Sequence, residues 1–251
     1  MHTGNKTTHW KALATCALFA VLAGGPAFAA DPPDLTGVWG NYRPPGQTGP
    51  APLGAPVAPE QLPLRPEARA RVDDYRALVA ARGDTPGGFC VGTGMPGAML
   101  NTVGYPMEIV QHDDVILVIY ELHTEIRHIH LTLRVPDEDL LPDRNGYSVG
   151  RWDGDTLIVE TTHLTASVEQ TRYPHSDQAR IVEEYRLIEE DGNNVLTVSM
   201  TMADPAWYAE PVTAERRWSL SPGGRLLSYE CNEAAWQDHL DRLRAERDGG
   251  R

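Results

Sequence analysis

The densest run of groups able to do chemistry is Tyr120-Glu121-Leu122-His123-Thr124-Glu125-Ile126-Arg127-His128-Ile129-His130. Alternate residues of an extended strand share a face. A straight strand would line Glu121, His123, Glu125 and Arg127 along one side, and Ile126, His128 and His130 along the other. A row of carboxylate, imidazole and guanidinium is suited to acid–base work: one group titrates near neutrality, a second orients it, and a cation holds an oxyanion. The competing reading is a solvated outer face. A turn at residues 122–125 would scramble both rows. His175, in Tyr173-Pro174-His175-Ser176-Asp177, is a loop histidine placed to join such a site. The catalytic candidates are therefore His123, Arg127 and His175, with Glu121 or Glu125 orienting an imidazole.

Other patterns suggest other chemistry. His128-Ile129-His130 has the His-x-His spacing of strand-borne metal sites, with Cα atoms about 7 Å apart on one face. A divalent transition metal there would need a third ligand, from His163, His175 or a carboxylate. Without it, the expectation is a site with no cofactor. Gly146-Tyr147-Ser148-Val149-Gly150 matches the Gly-x-Ser-x-Gly pattern of hydrolases, but that motif needs a helix after the serine. Here a hairpin follows, so the match reads as coincidence.

The elements that must position these residues are mostly strands. Met107–Gln111, Val115–Glu121, Glu125–Leu131, Tyr147–Trp152, Thr156–His163, Gln178–Ile188, Val195–Met202, Val212–Leu220 and Arg225–Cys231 alternate with turn signals such as Asp153-Gly154-Asp155 and Asp191-Gly192. Leu35–Trp39 adds a first short strand. Helical spacing predicts a helix over 66–82, opened by Pro66 and closed by Gly83, and another over 233–247. Residues 31–66 hold ten prolines and read as an extended arm. The chain thus divides into 1–30, a proline-rich arm with the first strand over 31–65, and a helix plus antiparallel barrel over 66–251. Such a meander either closes into a barrel, which removes exposed sheet edges, or packs as a sandwich.

Residues 1–30 carry the marks of a secretory signal peptide: Lys6 and Lys11, an apolar run from Ala12 to Leu22, and Ala27-Phe28-Ala29. The apolar run is shorter than the roughly 20 residues a span needs, and no membrane span is expected in the mature chain. Cleavage would leave no lysine, which excludes Schiff-base and P-loop chemistry. It would also leave 20 Arg against 35 acids, a charge of −15 that disfavours nucleic acid and anionic membranes as partners. Cys90 and Cys231 would remain. In a periplasmic or secreted protein they are expected to form one disulfide, worth about 4–5 kcal/mol by loop entropy.

Leu35-Thr36-Gly37-Val38-Trp39 ahead of the meander resembles the Gly-x-Trp opening of lipocalin-like (calycin) barrels. The resemblance implies that Trp39 caps one barrel end and that Arg216, Arg217 or Arg225 stacks on it. The stretch from Cys90 to Cys231 also resembles a family of secreted bacterial proteins. The shared pieces include Gly94-Met95-Pro96, Glu108-Ile109-Val110-Gln111, Arg127, Gly150-Arg151-Trp152, His175-Ser176, Asp204-Pro205 and Tyr229-Glu230-Cys231. That resemblance implies export and fold, and carries over no catalytic residue. The function expected is the handling of a small organic molecule in the barrel cavity, by cofactor-free acid–base chemistry (lyase, isomerase or hydrolase) or as a non-catalytic carrier or sensor. A metal-dependent enzyme using His128 and His130 is the third alternative.

Overall fold

The computed structural model describes Met1 and residues 31–47, 59–80, 82–100, 104–168, 173–230 and 236–249. The expected leader, the middle of the proline-rich arm, and Cys231 lie outside the described residues. Nine strands form one closed barrel in chain order: β1 (Gly37–Asn41), β2 (Met107–Gln111), β3 (Val115–Tyr120), β4 (Glu125–His130), β5 (Tyr147–Asp153), β6 (Thr156–Thr162), β7 (Arg180–Glu190), β8 (Asn193–Ala203) and β9 (Val212–Leu220), with β9 pairing back on β1. Three helices accompany them: α1 (Pro66–Ala80), α2 (Gly97–Leu100) and α3 (Trp236–Gly249). None of the described helices is long and apolar enough to cross a membrane.

Closure fixes a detail that hairpin signals cannot. A trip once round the ring must restore strand direction, and an odd number of antiparallel contacts would reverse it. With nine strands, at least one contact has to be parallel. It is β4–β5, whose ladder has only the pairs Ile129↔Ser148 and His130↔Val149. The other eight contacts are antiparallel. A parallel neighbour needs a crossover, and residues 131–146 carry the chain back to the end where β4 began.

Closure also explains why residues 225–230 are not a strand, contrary to the sequence pattern. β9 already holds β8 on one side and β1 on the other, so no edge is free. The segment instead lies along the barrel end, where the Leu227 amide donates to the Glu121 carboxylate at 2.7 Å and the Tyr229 ring meets His123 and Tyr105.

Inward positions follow the two-residue period. Ile116, Val118 and Tyr120 of β3, Leu157, Val159 and Thr161 of β6, and Ile181, Glu183 and Tyr185 of β7 are all buried. Trp39 is buried and donates from Nε1 to the Leu35 carbonyl at 2.9 Å. The stacking arginine is Arg216, but it lies over Trp218, 4.8 Å from the ring centroid, and not over Trp39. All four residues of α2 are buried, and together with Met95 they join the core at the end of the barrel marked by Tyr120 and the start of β4. A second apolar cluster, Val91, Trp236 and Leu240 with Tyr75, Leu78, Val79 and Phe89, joins α1 to α3.

The turn from the crossover into β5 allows no side chain at Gly146. Its φ is +66°, and a Cβ there would lie 2.5 Å from the Thr162 carbonyl oxygen. Gly146→Ala is expected to lower unfolding stability by at least about 1–2 kcal/mol, the cost of the left-handed backbone alone. A urea midpoint equal to that of the parent protein would refute this.

Candidate functional site

The strand carrying the densest polar run is not straight at its start. Leu122–Thr124 form a 3-10 turn in which His123 and Thr124 have φ of +60° and +51°. The turn separates Glu121 and His123 from the row that begins at Glu125. Glu121 and His123 become rim groups that hold the 225–230 segment, the His123 ring standing edge-on to Tyr229 at 5.0 Å.

Glu125 and Arg127 keep to the inner side of β4 and still serve different partners. Glu125 accepts the amides of Thr93 and Gly94 and so anchors the segment that leads into α2. Burial raises its pKa, and those two amides work against the rise. Arg127 is 1 % exposed and points across the seam between β4 and β5. Its Nε donates to Ser148 Oγ at 3.0 Å, Nη1 to Glu183 Oε1 at 3.1 Å and to Tyr185 OH at 3.2 Å, and Nη2 to Thr161 Oγ1 at 2.8 Å and to Glu183 Oε2. All five N–H bonds of the guanidinium are thereby used. The Tyr185 hydroxyl donates to Glu183 at 2.8 Å, and Ser148 and Thr161 share a bond of 2.9 Å.

Burial disfavours the Arg127 charge, but the Glu183 carboxylate and the surrounding phenols outweigh it and hold the pKa well above its ordinary value. Burial, followed by the neighbouring Glu183 charge, pushes the Tyr185 phenol far up. The network around Arg127 is ionic and internally satisfied. It stores an ion pair and offers no spare donor from Arg127 to a reacting oxyanion.

Tyr120, also inward, has a buried hydroxyl with no hydrogen-bond partner. Burial raises its pKa. Trp218 is fully buried, and its Nε1 likewise lacks a partner.

His175 lies under the same end of the barrel, between β6 and β7. It forms a two-way backbone bridge with Ser167, at 2.8 and 2.9 Å, and its Nδ1 is 3.0 Å from the Tyr173 carbonyl. The neighbouring Ser176 belongs to a structural knot: its amide and hydroxyl donate to Asp204 at 2.7 and 2.8 Å, and Asp204 also accepts the amides of Ala206 and Trp207. Burial lowers the His175 pKa, so the ring is held neutral.

His128 and His130 project from the outer face of β4, ring centroids 6.3 Å apart, and His130 stacks on Tyr147 at 5.1 Å. Among the described residues no group of three His, Cys, Asp or Glu is close enough to hold a metal ion. Ser148 of the Gly-x-Ser-x-Gly match sits within β5, facing inward, with no helix after it.

Sequence reasoning missed Glu183, Tyr185, Tyr120, Ser148 and Thr161. One signal pointed to Glu183: it falls on the face set by Ile181 and Tyr185, two residues either side of it. The class these features define is a closed nine-stranded barrel, compatible with a lipocalin-like architecture, with a buried ion pair at its seam. No protein-family model matches the chain, and no curated protein is significantly similar to it.

Two expectations follow. Glu183→Gln leaves the Arg127 charge buried and uncompensated, and should cost about 3–5 kcal/mol. The joint replacement Arg127→Met with Glu183→Leu should cost less than the single change, as read by denaturant melts in a double-mutant cycle; a double variant weaker than the single one would contradict this. His175 supplies a pH test. Its folded pKa lies below its ordinary 6.5, so the folded state resists protonation. Stability from this group is complete above pH 6.5 and is lost as pH falls below it towards the folded value. His175→Gln should flatten that acid limb of the stability curve. An unchanged slope below pH 6.5 would remove His175 as its source.

Proposed function

We propose that this protein is an exported barrel that binds a small organic molecule in its interior, as a carrier or sensor. What supports the reading is the pair of inward, fully buried donors without partners, Tyr120 OH and Trp218 Nε1. Buried polar groups are nearly always hydrogen-bonded, and one left unpaired costs about 1–3 kcal/mol. A ligand with an acceptor oxygen, such as a carboxylic acid or ketone on an apolar body, would satisfy a donor of this kind. Methionine side chains suit an apolar body of irregular shape, and Met95, Met99 and Met107 are all fully buried in the same core.

Binding is favoured over acid–base catalysis by one observation. Arg127, the group expected to hold a developing oxyanion, has spent every donor on Ser148, Thr161, Tyr185 and Glu183. Export and the disulfide belong to the same proposal. The leader over 1–30 would be removed, and Cys90 would pair with Cys231. The lipocalin-like and secreted-family resemblances point the same way.

Native mass spectrometry of the protein recovered from the periplasm tests all of this at once. The expected result is a chain lacking residues 1–30 or thereabouts, lighter by two hydrogens than its reduced form, and carrying a small molecule. Tyr120→Phe and Trp218→Phe should each weaken retention by about 2- to 10-fold, the worth of one hydrogen bond, with little loss of stability. A native spectrum free of small molecules, and unchanged by a panel of aliphatic and aromatic carboxylic acids, would defeat the carrier reading.

A further inference from the structure

The crossover that ring closure demands lies over the outer faces of β5, β6 and β7, and with them it bounds a groove of about 770 Å³. Val149, Ile158 and Val182 give it apolar lining; Arg134, Val135 and Leu140 come from the crossover. This groove is separate from the lumen, because its strand residues, apart from Gly150, are the outward members of each alternation.

Thr162, His163 and Asp137 meet along this groove, and all three line it. Thr162 Oγ1 is 3.0 Å from His163 Nδ1, and His163 Nε2 is 3.7 Å from the Asp137 carboxylate. A carboxylate beside Nε2 favours the tautomer with its proton there, which leaves Nδ1 to accept from the threonine hydroxyl. That is the order of nucleophile, base and orienting group required for an activated hydroxyl.

The backbone gives a second, independent observation. His163 has φ of +54°, a conformation that non-glycine residues adopt rarely. It is held there from the crossover side: the Asp143 amide donates to the His163 carbonyl at 3.0 Å, and the Thr165 amide donates to the Asp143 carbonyl at 2.9 Å. Strained residues that their surroundings hold in place cluster at functional sites. Asp137 has a side chain 90 % exposed, and a contact that open to solvent contributes almost nothing to folding.

We propose that the crossover groove is an acyl-transfer site for small carboxylic esters, with Thr162 as nucleophile, His163 as general base and Asp137 as the positioning residue. Thr162 Oγ bonds to the ester carbonyl carbon as its proton passes to His163 Nδ1, and the carbonyl electron pair moves to oxygen. Collapse breaks the bond to the alcohol, which leaves with the proton from His163. Water then attacks the acyl-threonine and gives a proton to the same nitrogen; collapse breaks the bond between the acyl carbon and Oγ, returns that proton from His163 to Thr162 Oγ and releases the acid. Arg151 and Gln178 also line the groove.

The test is covalent labelling of the full-length mature protein with a fluorophosphonate, which reacts with activated hydroxyls and releases fluoride, followed by peptide mapping. A parallel sample is quenched with 4-nitrophenyl acetate present and mapped for acetylation. Both are expected on Thr162. His163→Asn, chosen because asparagine tolerates positive φ, should cut labelling by about a hundredfold. Asp137→Asn should give a partial loss that Asp137→Glu restores. Modification absent from Thr162, or undiminished in correctly folded His163→Asn, overturns the proposal. Neither outcome bears on ligand binding in the lumen, which is read by a different measurement.

Discussion

Nine strands joined into a ring cannot all be antiparallel, and the rest of this structure is arranged around that fact. The single parallel contact is also the weakest, since the β4–β5 ladder holds only two residue pairs. Arg127 sits beside this seam. From β4 it reaches Ser148 on β5, Thr161 on β6, and Glu183 and Tyr185 on β7. One side chain thus bonds four strands where backbone pairing is thin. A buried ion pair is poor evidence of net stability, because desolvation offsets most of the Coulombic gain. Its value here lies in specificity: a register slip between β4 and β5 would carry Arg127 to the outer face and leave Glu183 buried without its cation.

The same parity requirement produces the crossover of residues 131–146. A crossover must run outside the barrel, and this one covers three outward strand faces. The groove, the clamp on His163 and the approach of Asp137 all descend from it. The molecule therefore has two separate polar sites with different physics. In the lumen the ionic groups, Arg127 and Glu183, are matched against each other. The groove is open, and its imidazole is flanked by a hydroxyl and a solvated carboxylate.

Around the rim where β4 begins, residues with acid–base character act as fasteners. Glu121 holds Leu227, Glu125 holds the Thr93 and Gly94 amides, and Asp204 gathers the Ser176, Ala206 and Trp207 amides. Each carboxylate satisfies amides of a segment with no strand partner of its own. Such groups look like chemistry in a sequence because composition does not say whether a donor nearby is a substrate or a loop.

Local periodicity settled what local forces control. The strands over 107–111 and 212–220 and the helix opening at Pro66 were legible because alternation and turn residues act over a few positions. The run of hairpins left barrel and sandwich open, and the Gly-x-Trp resemblance favoured the barrel. Three things were not legible. The break at 122–124 splits one polar row into two, and it depends on packing against the 225–230 segment. The fate of that segment depends on β1 having closed the ring first. The partners of Arg127 lie 21 to 58 residues away in sequence, and the choice between solvent and Glu183 is made only when three other strands arrive with their own phase. Sequence decides which face a residue shares with its neighbours; what that face meets is decided by contacts that exist only after the barrel closes.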